Sequence, residues 1–392
     1  MSCIQVTLPA QAKELRLKYA LFDAWPPSSG ASGRNAGFLI RGVAHNFYAA
    51  CKQYGVQAAE AMWGLSEENQ ILLENAGVRT LRSFQPKPSC LLALSDSEAE
   101  ELTLSASMMQ MAGFDHSLVS SGTDDLWAPH SLYTKTTPPL LGLVNPNDGV
   151  VNPQELLALL RGQLDQSTLH NGTRVQRIDT NTRDEYSVDV SIQGLDRALH
   201  ASRVLVATNA YAPELLPQLR GTVTPHRAQM LAATAMDGPQ IQMDYSYYAD
   251  FGDKYFREGP CGELLLGGCR RDFAATEATD EPVPTQPVQE ALESFAGAIF
   301  GRELHVHSAW AGTMGFSPDG LPLVGPVGAT QREGEHNDGS TCPVFDRVWF
   351  AGGFTGHGMS LGYATGRNAV DAMLGDESSI SPHMQLQRTM AI

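Results

Sequence analysis

A chain of 392 residues has the length for one large domain or two of ordinary size, and we expect two interleaved ones. Its 42% hydrophobic and 18% charged content, with glycines and prolines spread through turns, excludes long disorder, and no run of about 18 apolar residues is present to cross a bilayer. A net charge of −16 repels a phosphate backbone and an anionic surface, so we expect small-molecule partners, no nucleic acid, no membrane and, without a signal-peptide pattern at residues 1–18, a cytoplasmic location.

The first clear strand covers residues 19–23, YALFD, an apolar run that ends in a carboxylate and leads into the turn-rich WPPSSGASG. Apolar residues recurring every three and four positions predict two helices across residues 47–77, the second stopping at Gly77. Residues 80–145 mix short strands with an acidic helix at 96–111, and NPNDGVVNPQELLALLRGQL adds a turn, a proline at a helix start and an amphipathic helix. The β-rich runs TRVQRID, YSVDVSI and RVLVATN read as strands feeding one nucleotide-binding sheet. From Gly221 to Pro318 the character changes. There QMLAATAM, YSYYADFGDKYFR and ELLLGGCRRDF read as long antiparallel strands, with a helix near residues 288–300. DRVWFAGGFTGHGMSLGYATGRNAVDAML is a strand, a glycine turn and a helix, before a polar tail expected to be loose. The expected fold class is mixed α/β, with an incomplete Rossmann-like nucleotide-binding domain at residues 1–85, 145–220 and 330–375. It interleaves with an antiparallel-sheet substrate domain at 86–144 and 221–329, and the tail occupies 376–392.

Asp23, at the tip of its strand, is placed to accept hydrogen bonds from ribose hydroxyls, against the plainer reading of a solvated turn residue. The small residues of SGASGRNAG, at positions 29–37, permit left-handed turns and a row of amide donors close to an anionic or carbonyl-rich ligand. Gly352-Gly353-Phe354-Thr355-Gly356-His357-Gly358-Met359 lies between a strand and a helix. Unpaired amides and the dipole of the helix start stabilise negative charge there by about 0.3–1 kcal/mol. The competing reading is a structural turn with a packed His357. WAGTMGFSPDGLPLVG, from Trp310 to Gly325, reads as turn chemistry. The six cysteines show no C-x-x-C pair and no His at ligand spacing, so we expect no metal site and free thiols, Cys261 and Cys269 included.

SSGASGRNAG after a strand ending in an acid, YFR followed by ELLLGG, W-x-G-x-x-x-x-S-P-D-G-L-P-L-V-G and FAGGF-x-GHG-x-x-L-x-x-x-x-G occur in this order. Together they resemble the D-amino-acid oxidase superfamily of FAD-dependent oxidoreductases, in its branch of glycine and sarcosine oxidases and γ-glutamylputrescine oxidase. The resemblance spans residues 19–374. It implies that Asp23 holds the adenosine ribose and that Ser32, Gly33, Arg34, Asn35, Ala36 and Gly37 line the flavin and its diphosphate linker. It places Val175 by the adenine, Thr208 and Asn209 over the cofactor, Gly356, His357, Gly358 and Met359 at the flavin pyrimidine edge, and Gly353 among the cofactor contacts. Gly312 stands where some relatives carry a tethering cysteine, which implies non-covalent FAD. The implied reaction is oxidation of the C–N bond of a small amine or amino acid by hydride transfer to flavin N5. The imine then hydrolyses, and oxygen or another electron acceptor reoxidises the flavin. Substrate-side candidates are Tyr255 and Arg257, followed by Tyr247, Tyr248 and His226. Arg257 reads as a bidentate carboxylate clamp or a structural salt bridge, and His357 as a proton-transfer group or a neutral ring packed beside the flavin. Arg41 reads as a further anchor or an exposed strand-end charge.

The pattern departs from the family at its start. A G-x-G-x-x-G loop belongs about 20 residues before the ribose acid, yet no glycine precedes Gly30, and MSCIQVTLPAQAKELRLK stands in place of the first strand and glycine turn. Three explanations stay open: a start placed too late, a shortened and inactive protein, or a different way of holding FAD. The rival to an enzyme is thus a truncated, non-catalytic remnant that serves as a binding or structural protein. Action on a modified tRNA nucleotide, as in a related oxidase domain, is disfavoured by the charge.

Overall fold

In a computed structural model, which describes residues 17–120, 139–180, 187–236, 241–301, 303–327 and 347–390, the uniformly apolar run VWFAG forms the strand Val348–Gly352, buried along its whole length. Such a run suits the middle of a sheet covered on both faces. Val204–Val206 pairs with it in parallel and Leu323–Pro326 antiparallel on the other side. The helix Gly358–Met373 packs against this sheet with a face rich in small residues, among them Gly362, Ala364, Gly366 and Ala369. These belong to a first compact unit made of Met1–Ser32, Leu160–Pro225 and Met314–Ile392. Leu21–Asp23 pairs in parallel with Leu169–Asn171 in the same unit.

Only the last of the three β-rich runs after residue 172 joins the sheet of Val348–Gly352. Val175–Asp179, Val188–Ile192 and Leu199–Ala201 instead form a separate antiparallel meander. Strict alternation gives the middle strand one buried face of Val188, Val190 and Ile192, whereas a strand of a doubly covered sheet is apolar throughout. The tail also departs from expectation. Ile380, Met384 and Leu386 are buried, the Leu386 amide donates to the Val324 carbonyl at 2.8 Å, and Arg388 grips both Asp319 carboxylate oxygens at 2.9 Å. Isolated apolar residues in a polar segment suffice to dock it when each enters the core. Arg388→Ala is expected to lower the unfolding free energy by about 1–3 kcal/mol, the range for charge-assisted hydrogen bonds. A urea midpoint equal to wild type would show that the tail braces nothing.

The second unit, Gly33–Leu159 and His226–Thr313, carries most of an eight-stranded sheet. Its strands run in the order Leu304–Phe316, Thr224–Ala235, Leu264–Gly267, Lys254–Glu258, Ser246–Ala249, Ser89–Ala93, Leu141–Asn145 and Ser117–Ser120. Ser246–Ala249 and Ser89–Ala93 pair in parallel. Two helices form where the periodicity placed them, Phe47–Tyr54 and Val56–Asn75, parted by Gly55 at φ 89°. Residues 33–85 and 145–159, expected with the nucleotide-binding domain, group here instead. Phe38–Leu39 pairs with Gly149–Val150, and the Phe38 ring meets Tyr248 and Tyr255 at 5.1 and 6.0 Å. Among the described residues no helix is long and apolar enough to cross a membrane. Cys51, Cys90, Cys261 and Cys269 are free thiols.

Candidate functional site

In the first unit, Asp23 ends its strand as expected, and its carboxylate accepts the Trp25 amide at 3.2 Å. Arg161 lies across the strand ends: it donates to Asn171 Oδ1 at 2.9 Å, and burial lowers its guanidinium from the ordinary value against the attraction of Asp23. Val175 and Phe22, both partly buried, pack against the core of this unit. The segment after Val348–Gly352 turns through Gly353 at φ 70°, Thr355 at 48° and Gly356 at 89° before the helix begins at Gly358. Only glycine takes such angles freely.

Two hydrogen bonds fix that turn. The Gly353 amide donates to Asn209 Oδ1 at 2.8 Å, and the Thr355 amide donates to the Gly315 carbonyl at 3.0 Å. Asn209 itself sits at φ 49°, a left-handed conformation that Asn tolerates better than most residues. A Cβ on Gly315 would come within 2.4 Å of Asn209 Oδ1, so the close approach requires glycine there. The helix start has no side-chain cap. A Cβ at Gly356 would meet nothing nearer than Met314 Sδ at 3.5 Å, and one at Gly358 nothing nearer than the Phe354 side chain at 3.8 Å. His357 turns its Nδ1 to the Thr355 carbonyl at 3.2 Å. Thr208 Oγ1 is buried with no hydrogen-bond partner among the described residues.

In the second unit, the carbonyls of Gly33, Arg34, Ala36 and Gly37 accept hydrogen bonds, and Asn35 Oδ1 accepts the Gly37 amide at 2.8 Å. Arg257 is buried; its Nε donates to the Ala36 carbonyl at 2.5 Å and its Nη1 to the Glu258 carbonyl at 2.9 Å. No carboxylate pairs with it among the described residues, which removes the salt-bridge reading. Burial pushes its guanidinium down to about 10, against the pull of Glu263 and Tyr248. Tyr248 and Tyr255 stand opposite each other in register on the same side as Phe38. Burial pushes the Tyr255 phenol up to about 12 and raises Tyr248 well above its ordinary value. Tyr247 points the other way, stacked on Phe256 in the core at 5.2 Å, so it leaves the candidate set. Burial and then Arg270 lower His226 from its ordinary value. Arg41 is neither an anchor nor an exposed charge, because it pairs internally with Asp148 at 2.9 Å and Glu67 at 3.3 Å.

The family model described as DAO, FAD dependent oxidoreductase, matches residues 9–372. The chain belongs to this family of FAD-dependent oxidoreductases. A probable oxidoreductase OrdL from Rhizobium meliloti is 25% identical over 251 residues, covering 63% of this chain and 52% of the relative. A glycine oxidase from Pseudomonas aeruginosa is 26% identical over 195 residues, 47% of this chain and 45% of the relative. The aligned parts thus span about half the length of these curated relatives. Among solved structures, the fold is similar to that of glycine oxidase from Geobacillus kaustophilus, with a TM-score of 0.74 at 18% identity, covering 97% of this chain and 94% of that one. It is also similar to iminodiacetate oxidase from Chelativorans sp. BNC1, with a TM-score of 0.73 at 14% identity, covering 99% and 96%.

FAD is the cofactor of this family. The uncapped helix start, the left-handed glycine turn and the buried Thr208 hydroxyl fit the polar edge of a flavin, and the Asp23 carboxylate fits a ribose. Of residues 1–18, expected in place of the first strand and glycine turn, 1–16 lie outside the described residues. Sequence reasoning did not single out Gln154, whose side chain holds the Gly33 carbonyl at 2.7 Å, or Trp310 as a side chain that holds Arg34. Pro153 marks the helix start beside Gln154, but nothing local marks its reach.

Proposed function

We propose that the protein oxidises the C–N bond of a small amine that carries a carboxylate, with non-covalent FAD and with oxygen or another acceptor taking the electrons. The observation that carries this reading is the helix start at Gly358, left uncapped behind a left-handed glycine turn. When bound, FAD supplies the hydride acceptor. The chain's own part begins with that turn, whose dipole and amides stabilise negative charge on the flavin edge by about 0.3–1 kcal/mol. Asp23 accepts ribose hydroxyls, and residues 32–37 line the cofactor. On the substrate side, Tyr255 and Tyr248 remain protonated at neutral pH and serve as hydrogen-bond donors, not as bases. His357 is the residue assigned to hold or move a proton near the turn. The names glycine oxidase and iminodiacetate oxidase both specify amines with carboxylates, which supports the substrate class.

Purified protein should show flavin absorbance that bleaches anaerobically with such an amine. A chain that stays colourless after addition of FAD would falsify the reading. Within it, Asn209→Gly relieves the left-handed backbone but removes the acceptor for Gly353, so FAD affinity is expected to fall about tenfold through the loosened turn. Asn209→Asp keeps an oxygen in place and should recover most of the loss. Flavin fluorescence titration of both variants decides.

A further inference from the structure

The geometry points to Arg257 as a positioning residue that sets the cofactor-lining loop at residues 33–37, in place of a substrate clamp. What the loop faces rests on the flavin reading above; the clamp on the loop is internal to the second unit. The carbonyl of Gly33 accepts from Gln154 Nε2 at 2.7 Å, that of Arg34 from Trp310 Nε1 at 2.8 Å, that of Ala36 from Arg257 Nε at 2.5 Å and that of Gly37 from the Val151 amide at 2.8 Å. Each peptide is planar, so fixing its C=O also fixes the direction of its N–H. Carbonyls aimed at these donors keep their lone pairs off the opposite edge of the loop. An anionic or carbonyl-rich group is repelled by oxygen, so turning these carbonyls away favours a flavin or diphosphate on that edge; the Gly37 amide, in the peptide that Arg257 holds, is itself engaged by Asn35 Oδ1.

Arg257 is the charged member of the set and the most deeply buried of its side chains. Two of its three nitrogens already donate to backbone carbonyls. Nε serves Ala36 and Nη1 serves Glu258, and a Cβ on Gly37 would lie 3.0 Å from Nη2. A side-on bidentate grip on a carboxylate would need Nε, which already serves Ala36, and an end-on grip would have to share Nη1 with the Glu258 carbonyl. Among the described residues no carboxylate pairs with Arg257, and its positive charge strengthens the hydrogen bond to the neutral Ala36 carbonyl.

Two substitutions separate the roles. In Arg257→Gln the amide nitrogen stands the same number of bonds from the backbone as Arg Nε, so the donor to Ala36 survives while the charge and the fork are lost. Arg257→Met keeps the length without a donor. The positioning role predicts that Arg257→Met binds FAD about 10- to 100-fold more weakly, with altered visible circular dichroism of the bound flavin, and that Arg257→Gln stays within about threefold of wild type. It also predicts an unchanged KM of Arg257→Gln for carboxylate-bearing amines. Wild-type FAD affinity in both variants, or a KM raised equally in both, overturns the assignment. If Arg257→Met does not fold, the KM of Arg257→Gln decides alone. A wild-type chain that binds no FAD overturns the flavin reading, and this role with it, before any substitution is made.

Discussion

Gly37→Ala is expected to destabilise the protein by about 3–5 kcal/mol and to weaken FAD binding with it. Gly37 has φ 75°, where an L-residue costs about 1–2 kcal/mol. Its added Cβ would also stand 1.9 Å from the Val151 carbonyl oxygen and 3.0 Å from Arg257 Nη2. The Val151 amide donates to the Gly37 carbonyl at 2.8 Å, so the two chains cannot part without losing that bond and the pairing of Phe38–Leu39 with Gly149–Val150. Gly172 is the control: its φ is 65°, but a Cβ there meets nothing within 4 Å, so Gly172→Ala isolates the conformational cost. Denaturation midpoints of the two variants should differ by the backbone clash. Equal midpoints would mean that the approach of Val151 to Gly37 yields at little cost.

The parts of the site that sequence made legible are those in which local chemistry dictates local geometry. A uniformly apolar strand, three glycines and a long amphipathic helix define the turn at Gly353–Gly358 without knowledge of anything else in the chain. The same holds for Asp23 at the tip of YALFD. What holds these pieces was not legible, because it comes from far away in sequence: Arg257 reaches Ala36 across 221 positions and Trp310 reaches Arg34 across 276. Strand alternation places Tyr247 and Tyr248 on opposite faces, but it does not say which face is core. Packing decides that, with Phe256 and Phe300 on one side and Phe38 on the other. The tail was misjudged for a related reason, since three apolar residues among polar ones carry no period yet each finds the core. Arg41 was open to several readings until Asp148 and Glu67 closed around it.

That enclosure of Asp148 yields a pH dependence with a definite sign. The carboxylate is fully buried; it accepts from Ser89 Oγ at 2.6 Å and from the Arg41 amide and Nη1 at 3.1 and 2.9 Å, and Tyr248 lies close enough to feel its charge. Burial pushes it up to about 6, against the opposing pull of the Ser89 hydrogen bond and Arg41. The folded value lies above the unfolded one, near 4, so the stabilising contribution is complete below pH 4 and is lost as pH rises through 6. Its size is about 2–3 kcal/mol across that window. Asp250 and Asp319 work in the opposite sense. Their burial is outweighed by ion pairs with Lys254, Arg271 and Arg388, which leave both carboxyls below the ordinary value, and their contribution fades as pH falls. Total stability therefore mixes both signs, and the difference between wild type and Asp148→Asn isolates the one in question. That difference should move by about 2–3 kcal/mol in favour of wild type between pH 7 and pH 4. A flat difference would mean that Arg41 and Ser89 keep Asp148 ionised throughout. Asp148 directly precedes the strand Gly149–Val150 that leads to Val151 and Gly37, so its protonation acts at the base of the loop that Arg257 holds.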